Sequence, residues 1–243
     1  MRKVILLIVL SVSFGNIIYI PDDYSLIQEG INNSIDHDSI IVNNGTYFEQ
    51  ISISHPITLA GNDNVIIDGS GYYVVINILA DTVTVSGFEI IGDSLTVSGI
   101  TVTPGSDNVQ ILSNVIHGMH APNTSSALPA SYGILSYGDS SPIDPPKNLL
   151  IDSNEIYDIN AFGISLGSLS DSVIINNNFI HDIDKIDLLS YGYEEELSVG
   201  VIGNMGSWIK VENNNFSNVL LGSNLLLSSG IVTNNQYDDS IRI

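Results

Sequence analysis

A 243-residue chain with 27 acidic and six basic side chains carries a formal charge of −21, which repels nucleic acid and anionic lipid and excludes both as partners. The absence of cysteine excludes disulfides, thiol catalysis, thiolate metal sites and a cysteine-linked lipid anchor. Length alone allows one large core or two small ones.

The first fifteen residues read as an export signal. Arg2 and Lys3 form a short positive start, Val4 to Val12 an apolar core, and Ser13-Phe14-Gly15 a small-x-small cleavage site. That apolar run is too short to span a bilayer, and no later run is long and apolar enough. Residues 1–15 are therefore expected to be a signal peptide, with the product secreted, periplasmic or at the cell surface and not inserted in a membrane. Its removal leaves four cationic side chains against 27 acidic ones, a formal charge of −23.

Residues 16–243 are expected to form one domain, capped over about 20–36 and repetitive over about 40–240. Ser25 to Gln28 reads S-x-x-Q, a capping box opening a short amphipathic helix with Leu26, Ile27, Ile31 and Ile35 apolar. A solenoid needs such a plug over its exposed end. An eight-residue pattern then recurs: apolar, x, apolar, x, x, N, x, apolar. It runs V-Q-I-L-S-N-V-I from Val109, L-L-I-D-S-N-E-I from Leu149, V-I-I-N-N-N-F-I from Val173 and I-K-V-E-N-N-N-F from Ile209. A degraded copy from Gly230 keeps Asn235, a copy from Val83 has Phe88 in the slot, and Ile57, Leu59 and Asn62 suggest one more.

Between copies a glycine precedes a β-branched residue at Gly99-Ile100, Gly133-Ile134, Gly163-Ile164 and Gly200-Val201. Each repeat thus holds at least two short strands of period 2. A minimal repeat of 21 to 26 residues, all strand, is one turn of a parallel β-helix. Successive turns stack about 4.8 Å apart, so equivalent residues form columns. Asn114, Asn154, Asn178, Asn214 and Asn235 are then expected to form a hydrogen-bonded ladder at one corner. No second cap follows the last repeat, which points to a partner or an oligomer contact at that end.

Ser25 to Gly69, with its "SIIVNNGTYFEQISI" strand-turn-strand and "HPITLAG", resembles the N-terminal region of right-handed parallel β-helix proteins of the pectin-lyase-like group, NosD-like periplasmic proteins among them. The resemblance covers about residues 20–240 and implies an all-β, single-stranded, right-handed parallel β-helix of about seven turns with a short N-terminal capping α-helix. It does not imply one function, because the fold hosts lyases, hydrolases, esterases, adhesins and scaffolds. Lyases of the group need a basic proton abstractor, usually arginine, beside calcium-binding aspartates. After signal removal the only arginine is Arg242, and the lysines are Lys147, Lys185 and Lys210. The hydrolase motifs N-T-D, D-D, G-H-G and R-I-K find only "IHG" at Ile116–Gly118, "WIK" at Trp208–Lys210 and aspartate pairs outside the repeat body. No catalytic set transfers.

The insertions point to a site. From ladder slot to following glycine the gap is 19 residues after Asn114 and 22 after Asn178, against 9 after Asn154 between them. Both long loops are expected to wall a cleft floored by Tyr157 and Asp158. His117, Tyr157, His181 and Ser217 should form an outward column there. His181 or His117 beside Asp158 or Asp182, with Tyr157 on the floor, is the acid–base candidate; a plain polar surface stack and a metal site with the neighbouring carboxylates are the alternatives. Asp182, Asp184, Asp187 and Glu194 are oxygen ligands of the kind calcium takes, although the loop also reads as a solvated acidic segment; no cofactor is required. Tyr132, Tyr137, Tyr191 and Tyr193 edge the loops as candidate sugar contacts. The expected function is a non-catalytic scaffold that binds polysaccharide through residues 117–131 and 183–197. The alternatives are a polysaccharide lyase or hydrolase using the same cleft, and a module of a larger surface assembly.

Overall fold

The computed structural model describes residues 15–121, 130–136, 144–187, 196–226 and 228–239. The signal-like segment before Gly15 lies outside them, as do Tyr137, Tyr191, Tyr193, Glu194 and the side chain of Asp187.

The described chain winds as a parallel β-helix. One sheet stacks nine levels, from Ile17–Ile20 through Ser39–Tyr47, Thr58–Asp68 and Thr84–Ile91 to Gly230–Thr233 with Gln236–Asp238. A second sheet stacks seven, beginning at Ile51–Ile53 and ending at Leu221–Leu226. Strand pairs within both sheets are parallel and in register, so each inward apolar residue lies on its counterpart one turn away. Ile111, Ile151, Ile175 and Val211 form one buried column, and Ile116, Ile156, Ile180 and Phe216 another. Each such side chain contributes about 1.5–3 kcal/mol by leaving water. In the last level Val232 and Tyr237 occupy these columns half-covered.

From the fifth level on, each first-sheet strand is broken by a corner. The residue before every ladder asparagine is left-handed: Ser113, Ser153, Asn177, Asn213 and Asn234 have φ between 53° and 58°. This turn swings the following asparagine inward. Asn154 donates from both backbone N and Nδ2 to Asn178 Oδ1 (2.9 and 3.0 Å), and Asn178 does the same to Asn214 Oδ1 (2.9 Å each). The ladder runs from Asn114 to Asn235, and each Nδ2 also reaches a carbonyl one turn back, as Asn178 does to Ile151 (3.0 Å). The turns before it fill the slot with Phe88 and Val65 instead. Asn62, expected in that column, is exposed and bonds Asn43 Oδ1 at 3.3 Å; the apolar slot needs no amide to satisfy the backbone.

The capping helix is present at Ile27–Asn33, but the expected capping box is not. Leu26 holds the N-cap position with no side-chain bond. The first amides, Ile27 and Gln28, donate instead to the buried carboxylate of Glu49 (2.9 and 3.0 Å), which also complements the helix dipole. Gln28 is unavailable because its amide bridges the N–H and C=O of Ser52 (2.6 and 3.1 Å), tying the helix to the second sheet. Ile27 and Ile31 are fully buried, whereas Leu26 and Ile35 are exposed.

Candidate functional site

Three consecutive levels of the first sheet carry one four-residue pattern: His117-Gly118-Met119-His120, Tyr157-Asp158-Ile159-Asn160 and His181-Asp182-Ile183-Asp184. The third position is buried and the first faces out. The second turns the corner, with φ of 83°, 54° and 49° at Gly118, Asp158 and Asp182. Glycine and aspartate both tolerate that conformation. The corner then presents the fourth residue on the neighbouring edge.

The expected outward column exists as a ring stack. His117 and Tyr157 lie 4.7 Å apart at 12°, Tyr157 and His181 5.0 Å apart at 7°, and Phe179 covers His181 at 4.1 Å. The rings therefore spend their faces on one another and show their edges outward. Carboxylates border those edges. Glu89 Oε1 meets His117 Nε2 at 3.1 Å, and Glu155 Oε1 meets His181 Nε2 at 3.2 Å. Asp182 Oδ2 takes the other nitrogen of His181 at 2.7 Å, while Asn218 Nδ2 donates to Asp182 Oδ1 at 2.6 Å. Burial, followed by the charges of Glu155, Glu89 and Asp158, pushes the Tyr157 phenol above its ordinary value.

Bonding from Asn218, then from His181, holds the Asp182 carboxyl below the usual carboxylate range. Such a depressed carboxyl stabilises the fold above the unfolded-state pKa of about 3.9, and that stability is lost as pH falls through the folded value. Asp182 is more than half exposed, so solvent screening keeps the contribution small. Asn218→Leu is expected to move the Asp182 titration upward, read from its carboxyl chemical shift against pH; an unmoved midpoint would refute the Asn218 bond as the chief cause.

The second edge brings in a residue absent from the sequence expectation. His120 Nε2 meets Asp158 Oδ1 at 3.2 Å, and its Nδ1 faces Asn160 Oδ1 at 3.2 Å and Asp184 Oδ2 at 4.0 Å. His120, Asp158 and Asp184 each offer a ligand atom within 4.8 Å of the others. One nitrogen and two carboxylate oxygens could hold a divalent cation, a donor set nearer to zinc or manganese than to calcium. Asp184, placed at sequence level with Asp182, Asp187 and Glu194, thus stands beside His120 and Asp158, and Asp182 beside His181 and Asn218. The signal for His120 was the alignment of H-G-M-H with Y-D-I-N and H-D-I-D, visible only once the register is known.

Both long loops stem from this corner, on the levels either side of Glu155–Leu166. Ser131 Oγ closes the first stem onto the Ala121 carbonyl (2.9 Å), and Ser198 Oγ the second onto that of Ile183 (2.7 Å). The loop bodies, 122–129 and 188–195, lie outside the described residues. Beside the second stem a cleft of about 510 Å³ is lined by Ile183, Asp184, Lys185, Asn218, Val219 and Leu220. Tyr132 stacks flat on Phe162 (5.4 Å, 7°) and packs with Ala161, Ile186 and Val199 under the stems. Among the described residues Lys147 pairs with Asp144 (2.7 Å) and Lys185 with Glu196 (3.0 Å).

Residues 98–241 match the family described as right handed beta helix region. The chain belongs to the right-handed β-helix family. The stacked sheets of this β-helix also align with three solved structures at the level of fold. They are an alginate lyase from Paenibacillus sp. str. FPU-7 (TM-score 0.54, 14% identity, 86% of this chain and 91% of that one), pectate lyase Pel9A (0.53, 10%, 94% and 80%) and Escherichia coli YbhC (0.56, 13%, 99% and 75%). No curated protein matches the β-helix by sequence. No helix among its described residues is long and apolar enough to cross a membrane.

Proposed function

We propose that this β-helix is exported and binds a polysaccharide along the His117–Tyr157–His181 strip without cleaving it. The observation that carries the reading is the engagement of His181: both ring nitrogens face carboxylates, at 2.7 and 3.2 Å. A base that abstracts a sugar proton needs a free nitrogen aimed at substrate. Here a turned ring would give up both carboxylate contacts. Glu89 and Glu155, two turns apart in one column with Val115 between them, line that edge together with Asp182 and suit a linear polymer that donates hydroxyl hydrogens.

Affinity electrophoresis against a panel of neutral and acidic polysaccharides tests this, run in chelator and again with calcium or zinc. Retardation by at least one polysaccharide is expected, weakened about tenfold or more by Tyr157→Ala, with no unsaturated product or new reducing ends. Cleavage that His181→Ala abolishes would establish the lyase or hydrolase reading instead.

A further inference from the structure

A second surface lies across the asparagine corner from that strip. On the outward side of the preceding strands, Lys210 sits in register between Ile174 and Ile231, one turn away on each side. Together with Trp208, Ser172 and Ser229 they line an apolar groove of about 490 Å³, within the roughly 300–1,000 Å³ of small-ligand sites. Trp208 is 77% exposed.

Its position is unusual. Trp208 belongs to a left-handed column with Thr82, Asn108, Asn148 and Ser172, all at φ between 54° and 57°. Small polar residues make this turn on the other levels. A bulky ring is strained in that backbone conformation, and at 77% exposure it recovers little by packing. Beside it stands Lys210, the one lysine among the described residues without an ion pair, in a chain of 27 acidic side chains.

We propose that this groove binds one acidic sugar ring. The indole face, electron-rich at its centre, would take the C–H face of the pyranose. The Lys210 ammonium would meet the ring's carboxylate or sulfate, and the Ser172 and Ser229 hydroxyls would take ring hydroxyls. Charge decides the class: a neutral ring would leave the one unengaged lysine without a use, and a cationic ligand would oppose it. The inference borrows from the proposed function only the general class of ligand; its location and chemistry are independent.

Trp208 is the only tryptophan among 11 tyrosines, so emission excited at the red edge of the indole band, where tyrosine does not absorb, reports on this groove. The full chain would be titrated with monomeric and oligomeric hexuronates, sulfated hexose oligomers and neutral oligomers of equal length. A saturable emission change is expected with the acidic oligomers. It should be at least tenfold weaker in apparent affinity for the neutral ones and in Lys210→Gln. His181→Ala and Tyr157→Ala should leave this titration unchanged, which separates failure here from failure of the strip. No saturable change with any acidic sugar overturns the proposal. So does an equal response to neutral oligomers, or an unaltered Lys210→Gln.

Discussion

Asn178→Leu, at a buried slot of the asparagine corner, is expected to lower the unfolding midpoint sharply. The side chain donates to the Ile151 carbonyl and Asn214 Oδ1, and accepts from the backbone N and Nδ2 of Asn154. Leucine fits the volume and makes none of these bonds. It leaves the Asn154 N–H buried without a partner and breaks the three other amide bonds, together costing about 2–5 kcal/mol. For a chain of this size that is a fall of about 5–15 °C, measurable by circular dichroism. Asn177→Gly is the internal contrast. Asn177 has φ of 54° and contributes its conformation, so glycine should change stability by less than about 1 kcal/mol. Equal melting of Asn178→Leu and the parent would refute the ladder as a source of stability.

Gly163→Ala is the second change expected to be severe. A Cβ there would stand 2.7 Å from the Gly200 carbonyl oxygen and 2.7 Å from Ile180 Cγ2. Gly133 and Gly200 meet the same pair of obstacles, a backbone carbonyl one level on and a core side chain from the first sheet. The carbonyl belongs to a strand held in register on both sides, so it cannot yield without opening the ladder of backbone bonds. Overpacking of this kind costs about 1–3 kcal/mol, and more where backbone must move. Gly203→Ala should be milder, because its nearest neighbours are the tips of Leu225 and Ile209 at 3.0 and 3.4 Å. A urea series in which Gly163→Ala unfolds no earlier than Gly203→Ala would show that the glycine column is dispensable.

Both predictions rest on features legible in the chain. Asparagine in a fixed slot, and glycine before a β-branched residue, recur because one turn of the coil repeats the same local problem. The residues that solve it are short-range: a left-handed corner, an inward amide, a strand without Cβ. The helix cap was misread for the opposite reason. S-x-x-Q describes a local solution, yet Glu49, some twenty residues on, offers two carboxylate oxygens to the same amides and Gln28 is drawn to Ser52.

The candidate site divides in the same way. His117, Tyr157 and His181 could be placed in one column by counting from the ladder, and they stack as counted. What each ring touches could not be counted. Glu89 and Glu155 come from two residues earlier on other levels, and His120 reaches Asp158 across a 38-residue separation. Likewise Trp208 reads in sequence as part of an uninformative W-I-K, and only the stacking of Ile174, Lys210 and Ile231 turns it into the wall of a groove. The sequence by itself determined the coil, its core columns and its asparagine corner, because those follow from a period along the chain. Tertiary structure decided which carboxylates occupy the histidines and which lysine stays free, because those depend on side chains meeting between turns whose spacing along the chain is irregular.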